Sequence, residues 1–351
     1  MKIIHAADIH LGSKLDSKFS KTISDQRKVE VRNTFKRLVE YANKNSISLI
    51  MLSGDIFDSN TPVKKDKDFF YNVIKNNPNI TFLYLKGNHD VSNTNVETYD
   101  NLKVFSSSWQ SYQFNNIVIS GIELDDSNMT SFYSTLTLTE NNVNIVMLHG
   151  QTGSSNKDIN LLKLRNKNID YLALGHIHSY STGKIDDRAI YVYSGCLEPR
   201  GFDELNEKGF VEIEIIDNKL THKFVSFSQR VIKEEQVDIS LMDEAYDISE
   251  KIKKEININL NNIYRFKLIG ETDIDVSDML EDIEQYLKDQ AYFINVVDKT
   301  SKVFDIHKYD YDLSLKGEFV RTVYQNEDYT EEEKIKIISL GLKALDKKGV
   351  E

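Results

Sequence analysis

The sequence predicts an α/β fold in which short buried strands alternate with helices. Six apolar runs in the first half of the chain are each bounded by polar or glycine-containing segments, as buried strands usually are. They are KIIHAA (2–7), SLIMLS (48–53), ITFLYL (80–85), IVISGI (117–122), VNIVML (143–148) and YLAL (171–174). Helical periodicity lies between several of them, most clearly from Arg27 to Ala42. Such alternation is typical of a largely buried sheet covered by helices.

The later part of the chain changes in pattern. AIYVYS, GFVEIEII and KLTHKFVSF follow one another without a helix and predict antiparallel strands that complete a second sheet. Near Gln229 a strand–helix–strand–helix–strand pattern begins, and beyond Lys308 the chain is predicted to be helical, with a capping box of Thr330 and Glu333 opening its last helix. We therefore predict a large domain over 1–228, a small α/β capping domain over 229–305 and a helical C-terminal segment over 306–351.

Composition narrows the class of protein. The 351 residues are 40% hydrophobic and 28% charged, as in an ordinary globular protein. The single cysteine, Cys196, excludes a disulfide within the chain. Asp8 interrupts the apolar opening and no apolar run reaches membrane-spanning length, so we expect a cytoplasmic protein without membrane contact. The net charge of -11 arises mostly after Glu271, and a basic cluster between Ser13 and Arg37 is either a solvated helix face or a phosphate-binding surface.

Five of the eight histidines come just after a predicted strand, each beside Gly, Asp or Asn. The motifs are DIH (8–10), GDIFD (54–58), GNHD (87–90), HG (149–150) and GHIH (175–178). Ligand sites in open α/β sheets form at the carboxyl ends of strands, so these motifs can converge. Imidazole, carboxylate and amide donors without a thiolate suit Mn, Fe or Zn. Seven candidate ligands fit two ions better than one: Asp8, His10, Asp55, Asn88, His149, His176 and His178.

Other residues carry weaker signals. His5 lies within the first predicted strand, where a structural histidine is the favoured interpretation. Trp109 is able to stack on a base, but ordinary packing is favoured. Arg200 follows Pro199 near the expected site and is a candidate phosphate contact.

The order of the five motifs resembles that of calcineurin-like metallophosphoesterases. DIHLG at the first motif and YSGCLEPRGFDELNEKGFVEIEI after the last are similar to the SbcD-type DNA repair exonucleases, and most of all to their YhaO-type branch. The resemblance covers most of the chain in layout, is specific in the five motifs and is loose after Gln229. It implies a catalytic domain that is a four-layer αββα sandwich, followed by a small capping domain.

The resemblance also implies roles for individual residues. A hydroxide held by two ions would attack phosphorus, while His89 stabilises the developing charge or protonates the leaving oxygen. Asp58 and Asp90 would orient their neighbours. Archaeal and eukaryotic relatives often have His at the position of Asp58, which places this chain with the bacterial branch. The two ions would share Asp55: one would be held by Asp8, His10, Asp55 and His178, and the other by Asp55, Asn88, His149 and His176.

The leading expectation is a two-metal, Mn-dependent phosphodiesterase that acts on DNA as a repair exonuclease. One alternative is a phosphodiesterase or phosphatase for nucleotides or other small phosphoesters, and another is a partner-assembly scaffold with a metal site. The last helix has an apolar stripe formed by Ile335, Ile338, Leu342 and Leu345. This stripe either packs within the chain or docks an SbcC-type coiled-coil ATPase. The resemblance further implies a homodimer formed through helices of the catalytic domain.

Overall fold

The computed structural model describes residues 1–15, 19–59, 61–90, 97–272, 274–302 and 306–345. The chain divides into two compact units, Met1–Lys233 with Asn261–Ile263, and Glu234–Leu260 with Tyr264–Glu351. The three-part division into 1–228, 229–305 and 306–351 stays a proposal about how the chain is organised into domains.

The first unit contains two six-stranded sheets. Its strands are β1 (Lys2–Ala6), β2 (Leu49–Ser53), β3 (Thr81–Leu85), β4 (Leu102–Val104), β5 (Gln110–Phe114), β6 (Ile117–Gly121), β7 (Val143–His149), β8 (Tyr171–Gly175), β9 (Ser181–Lys184), β10 (Ile190–Tyr193), β11 (Gly209–Ile216) and β12 (Lys219–Ser226). One sheet has the order β12-β11-β1-β2-β3-β4 and the other the order β5-β6-β7-β8-β10-β9. The helices are α1 (Lys21–Lys44), α2 (Lys64–Lys75) and α3 (Phe132–Thr135), with a 3-10 helix over Leu161–Leu164.

The two sheets pack face to face, because the strands of each have an apolar face. Met51 of the first sheet and Ile145 of the second belong to one buried core between them. On the outer side of the first sheet, Phe35 of α1 packs in a second core. On the outer side of the second sheet, Phe132 of α3 and Leu164 of the 3-10 helix pack in a third. This order of helix, sheet, sheet and helix confirms the predicted four-layer α/β architecture.

Parallel pairing aligns the strand ends that carry the polar motifs. In the first sheet β1, β2 and β3 are parallel neighbours, and in the second β6, β7 and β8 are parallel neighbours. The carboxyl ends of β1, β2 and β3 therefore share one edge of the first sheet, and those of β7 and β8 share one edge of the second. The five motifs follow these five strands.

The last strands of the first unit correct a prediction. Of the three predicted strands AIYVYS, GFVEIEII and KLTHKFVSF, only the first, β10, joins the second sheet, where it is parallel to β8. The other two, β11 and β12, lie in the first sheet. Strand β11 is antiparallel to β1, with Ile3 opposite Ile213. The pairing fits the residues of β11: Val211, Ile213 and Ile215 lie in the core between the sheets, and Phe210 on the other face lies in the core below α1. The sequence pattern predicted these strands but not the sheet that they join.

The second unit follows the predicted strand–helix–strand–helix–strand pattern. Apart from the first residues of β13 and β14, which belong to the first unit, its elements are β13 (Ile232–Asp238), α4 (Ala245–Glu255), β14 (Ile263–Ile269), β15 (Glu271–Thr272), α5 (Leu280–Leu287), β16 (Phe293–Asp298), β17 (Ser301–Lys302), α6 (Leu315–Tyr324) and α7 (Glu331–Leu345), with 3-10 helices over Val276–Met279 and Ile306–Tyr309. Strands β13, β14 and β16 form a sheet whose apolar face packs with α4 and α5, for example through Phe266, Ile252 and Ile283. Within the described ranges, none of the helices is long and apolar enough to cross a membrane.

The predicted capping box at the start of α7 is confirmed. The Thr330 backbone N–H donates to Glu333 Oε2 at 2.8 Å, and the Glu333 backbone N–H donates to Thr330 Oγ1 at 3.3 Å. These reciprocal bonds satisfy two backbone donors at the start of the helix. They explain why α7 begins at Glu331.

A buried charge cluster joins α1 to the segments that follow β10 and β12. Arg27 is fully buried; its guanidinium contacts Glu30 and donates to Glu198 Oε1 at 3.0 Å. Glu198 also accepts from Thr34 Oγ1 at 2.8 Å and from the Gln229 N–H at 2.7 Å. The cluster replaces the water that these charges would otherwise need.

Arg27→Ala should strongly destabilise the protein, since it leaves the buried Glu198 carboxylate without its cation, while Glu30 keeps Arg230, 2.6 Å away. We expect a loss of about 3–5 kcal/mol in the free energy of unfolding, measured by urea denaturation. Lys36→Ala is the control, because Lys36 lies on the same helix with its side chain 63% exposed. It should change the free energy by no more than about 0.5 kcal/mol. Equal losses in the two variants would contradict a structural role for the cluster.

Candidate metal centre

The loops that follow β1 and β2 lie side by side and are joined through their backbones. The Asp8 N–H donates to the Gly54 carbonyl oxygen at 3.0 Å, and the His10 N–H donates to the Asp55 carbonyl oxygen at 3.0 Å. Asp8, His10 and Asp55 all have left-handed backbones, with φ of 52°, 50° and 52°, and His176 after β8 has φ of 98°. Such conformations cost non-glycine residues about 1–3 kcal/mol each and cluster at functional sites.

Gly54 lets the end of β2 approach the second sheet. Its φ is +95°, and a Cβ at this position would lie 2.1 Å from His149 Nδ1. No larger residue fits there unless the imidazole moves. The contact places His149, at the end of β7, against the first sheet, so side chains from both sheets meet at one site.

The first group of donor atoms comes from Asp8, His10 and His178, whose ligand atoms all lie within 4.8 Å of one another. Nε2 of His10 and Nε2 of His178 face each other at 3.3 Å. Asp8 is fully buried, and both of its carboxylate oxygens accept from the His176 backbone N–H at 3.0 Å.

The second group comes from Asp55, His149 and His176, again with ligand atoms within 4.8 Å of one another. His149 Nε2 lies 3.3 Å from Asp55 Oδ2. Asn88 Oδ1 lies 3.1 Å from His149 Nε2 and 3.1 Å from His176 Nδ1. Asp55 Oδ2 is also 3.9 Å from His10 Nε2, so this carboxylate stands between the two groups.

These separations fit two adjacent cation positions. Two ligand atoms at right angles on one ion, with bonds of about 2.1 Å, lie about 3 Å apart. The contacts within each group, at 3.1–3.3 Å, match that spacing. The donors are imidazole nitrogens, carboxylates and an amide oxygen, a set that binds divalent transition metals. The seven predicted ligands are therefore brought together in two groups that could hold metal ions.

Burial and neighbouring charges set the protonation of the site. Burial raises the pKa of Asp8 to about 6 and lowers the pKa of His10 to about 4. Burial also opposes ionisation of Asp55 and His149, but the hydrogen bond and charge that they share outweigh it. The pKa of Asp55 therefore falls well below its usual range and that of His149 rises to about 9. A divalent cation would offset the buried negative charge of Asp8 and Asp55 and favour neutral imidazoles.

The imidazole rings are oriented by groups on their far nitrogens. His149 Nδ1 lies 2.8 Å from the Ser53 carbonyl oxygen, which can only accept, so Nδ1 carries the proton and Nε2 is left to bind a metal. His10 Nδ1 lies 3.0 Å from Asp58 Oδ1. This contact fits the orienting role that the resemblance implies for Asp58, and that role stays a prediction.

Glu204 joins the site without having been predicted. Its Oε1 lies 2.8 Å from His178 Nδ1, and the carboxylate is 2% exposed. Arg200 links it to Asp58, since Nη2 of Arg200 is 2.7 Å from Glu204 Oε1 and Nη1 is 2.8 Å from Asp58 Oδ1. The guanidinium therefore contacts carboxylates, and the phosphate contact considered for Arg200 stays a prediction. An acid four residues after an arginine is too common a pattern to have identified Glu204.

His89 is exposed beside the first group. Its backbone N–H donates to Asp55 Oδ1 at 2.8 Å, and its Nδ1 lies 3.2 Å from the Asp58 carbonyl oxygen. Its ring is 5.1 Å from the ring of His10, centroid to centroid. His89 therefore lies beside the candidate ligands, close to His10 and Asp58, and its catalytic role stays a prediction.

Asp90 is buried and braces the loops. Its carboxylate accepts from the backbone N–H groups of Ile56, Phe57 and Gly87 at 3.1, 2.9 and 3.2 Å. Burial raises its pKa to about 6. These bonds tie the loop after β2 to the loop after β3, and the orienting role that the resemblance implies for Asp90 stays a prediction.

Two residues with weaker signals are engaged in packing. The Trp109 indole N–H donates to the Phe132 carbonyl oxygen at 3.1 Å, and the Trp109 ring packs in the outer core of the second sheet. His5 Nδ1 lies 2.9 Å from the Tyr171 hydroxyl between the sheets. The favoured structural interpretation of both residues is therefore confirmed.

The fold and the clustered donors define a metallophosphoesterase-like α/β protein. The family model for calcineurin-like phosphoesterases matches residues 1–180, just over half of the chain. The chain therefore belongs to the calcineurin-like phosphoesterase family, as the resemblance predicted.

Two curated relatives are similar along most of their length. The SbcD component of the nuclease SbcCD from Staphylococcus epidermidis is 24% identical, with 93% of this chain and 92% of that protein covered. The DNA double-strand break repair protein Mre11 from Thermoplasma acidophilum is 23% identical, with 88% of this chain and 87% of that protein covered. Among solved structures, a dimetal phosphatase from Danio rerio has a TM-score of 0.44 at 11% identity and covers 64% of this chain and 95% of that chain, a likeness that adds nothing to the family assignment. The YhaO-type branch stays a prediction.

Metal binding should stabilise the protein through these donors. A ligand at a hundred times its Kd stabilises the folded state by about 2.7 kcal/mol, so Mn²⁺ should raise the melting temperature and a chelator should reverse the rise. Asp55→Asn should remove most of the rise, since Asp55 stands between both groups. His307→Ala is the control, because its imidazole is 86% exposed in the second unit. A rise in Asp55→Asn as large as in the wild type would place the ions elsewhere.

Proposed function

We propose that this protein is a two-metal phosphodiesterase that acts on DNA. The observation that carries the proposal is the pair of adjoining donor groups that share Asp55, with ligand spacings of 3.1–3.3 Å beside an exposed imidazole. Metal ions held by these residues would supply Lewis-acid chemistry for the attack of water on a phosphoryl group.

We divide the proposed ligands between the two ions as the resemblance implies. Asp8, His10 and His178 would hold one ion, with Asn88, His149 and His176 holding the other and Asp55 contacting both. A site of imidazole and carboxylate ligands suits Mn, Fe and Zn better than it suits Mg. We infer Mn as the working ion.

The side chains of this protein would position and assist the reaction. His89 would donate a hydrogen bond or a proton to the phosphoryl group or to the leaving oxygen, as an imidazole placed beside the ligands can do. Asp90 would keep His89 in place by bracing its loop. Asp58 would keep the ring of His10 aimed at the ions.

DNA is the proposed substrate for two reasons. The candidate site reaches the surface, because Asn88 and His89 are exposed and His178 keeps 26% of its side chain accessible, so a polymer backbone has access. The two relatives described above are named as part of a nuclease and as a break-repair protein, and this chain spans about nine tenths of each. An exonuclease that acts in cytoplasmic DNA repair is the form of the activity that we propose.

A coiled-coil ATPase is the proposed partner. In the last helix, Ile338 is fully buried, whereas Ile335 and Leu345 are 41% and 37% exposed. The stripe thus packs partly within the second unit and leaves apolar surface that a helical partner of SbcC type would cover. A homodimer of the catalytic domain stays a prediction.

Digestion of an end-labelled DNA duplex tests the proposal. We expect Mn²⁺-dependent shortening that a chelator abolishes, and a loss of about 10²–10⁴-fold in turnover in His89→Ala with Mn²⁺ binding retained. His307→Ala again serves as the control. Intact DNA beside rapid hydrolysis of a small chromogenic phosphodiester would favour the small-phosphoester alternative, and Mn²⁺ binding without either activity would favour the scaffold.

A further inference from the structure

Five side chains close a ring behind one of the two donor groups. His178 Nδ1 lies 2.8 Å from Glu204 Oε1, which lies 2.7 Å from Arg200 Nη2. Arg200 Nη1 is 2.8 Å from Asp58 Oδ1, which is 3.0 Å from His10 Nδ1. The ring closes where Nε2 of His10 faces Nε2 of His178 at 3.3 Å. One guanidinium therefore connects two carboxylates, and each carboxylate contacts an imidazole whose other nitrogen belongs to the donor group.

The segment that contributes Glu204 holds it rigidly. Glu204 Oε2 accepts from the Arg200 backbone N–H at 2.6 Å, while Oε1 accepts from the guanidinium. The same segment reaches the backbone of the ligand, because Lys208 Nζ donates to the His178 carbonyl oxygen at 2.8 Å and Lys208 is 2% exposed. Both the ring and the main chain of His178 are thus fixed from residues 200–208.

Arg200 and Glu204 compete for the same nitrogen of His178. Arg200 Nη2 lies 3.1 Å from Nδ1 and is only a donor, whereas Glu204 Oε1 lies 2.8 Å away and accepts. The shorter, charge-assisted contact favours a proton on Nδ1. That tautomer leaves Nε2 of His178 with its lone pair towards the donor group.

Among the residues that the structure describes, the carboxylate contact behind His178 has no counterpart at His149 of the second donor group. His149 Nδ1 contacts the Ser53 carbonyl oxygen, a neutral main-chain acceptor. Both partners fix the ring, but a charged carboxylate accepts a stronger hydrogen bond than a neutral carbonyl and so raises the basicity of the ligating nitrogen more. The two metal positions therefore differ in what sets the strength of their imidazole ligands.

We propose that Arg200 and Glu204 are positioning residues that set the affinity of one metal position, the one formed by Asp8, His10 and His178, independently of the other. This inference rests on the proposed two-metal function. It adds that the segment after β10 controls how the first position fills.

The inference is tested by stepwise titration of the full chain with Mn²⁺. Calorimetry measures the affinity of each binding step, and electron paramagnetic resonance measures the coupling between bound ions. Glu204→Gln keeps the side-chain shape and removes the charge. We expect one of two binding steps to weaken about 10–100-fold while the other stays within about twofold. Two Mn²⁺ ions about 3.5–4 Å apart give a spin-coupled signal, which the variant should replace with that of an isolated ion at equal metal concentration.

Glu212→Gln is the matched control. Glu212 on β11 is also a buried carboxylate, 4% exposed. It is paired with the Tyr41 hydroxyl at 2.7 Å and with Lys223 Nζ at 3.1 Å. It should bind Mn²⁺ as the wild type does. Asp58→Asn opens the ring from the side of His10 and should weaken the same step as Glu204→Gln. The double variant should lose less than the sum of the two, because each change opens the same ring.

Each other outcome overturns a defined part of the proposal. Two wild-type binding steps in Glu204→Gln would refute the positioning role. Equal weakening of both steps, with a fall in the metal-free melting temperature larger than in Glu212→Gln, would show that Glu204 acts on the fold as a whole. A wild-type chain that does not bind two ions would refute the proposed function itself.

Discussion

The backbone pairing of the loops after β1 and β2 is the interaction on which the site depends. The Leu11 N–H donates to the Ile56 carbonyl oxygen at 2.8 Å, directly after the bonds that join Asp8 and His10 to the neighbouring loop. The pairing holds non-glycine residues in left-handed conformations that an isolated loop would avoid. It also brings two buried carboxylates, Asp8 and Asp55, into one small volume. Their negative charge is what a pair of cations would offset.

The sandwich completes the site because its ligands come from both sheets. His149 reaches the first sheet through its contact with Ser53, and a Cβ at Gly175 would lie 2.0 Å from the same carbonyl oxygen. The sheets can approach this closely only where glycine stands. The core between the sheets thus fixes the distance between the donor groups, and a shift of one sheet on the other would separate His149 from Asp55. The packing that stabilises the first unit therefore also sets the geometry of the site.

The sequence predicted those features of the fold and the site that depend on local patterns. It did not predict features that depend on contacts between residues far apart in the chain. Strand ends were predictable, because apolar runs stop at Asp, Gly and His, and parallel strands bring these ends together. The sheet joined by β11 was predicted wrongly, since Ile213 and Val211 would suit either sheet and pairing with β1 is a long-range choice. Glu204 gave no signal, because only folding places it behind His178. The left-handed backbone of Asp8 was not predictable either, because no residue next to it in the sequence requires that conformation.

Diffraction from crystals of the protein grown with Mn²⁺, recorded at the manganese absorption edge, tests the central claim most directly. We predict two anomalous peaks about 3.5–4 Å apart, both next to Asp55. One peak should be bounded by His10 and His178, and the other by His149 and His176. A single peak, or peaks away from Asp55, would contradict the two-metal site.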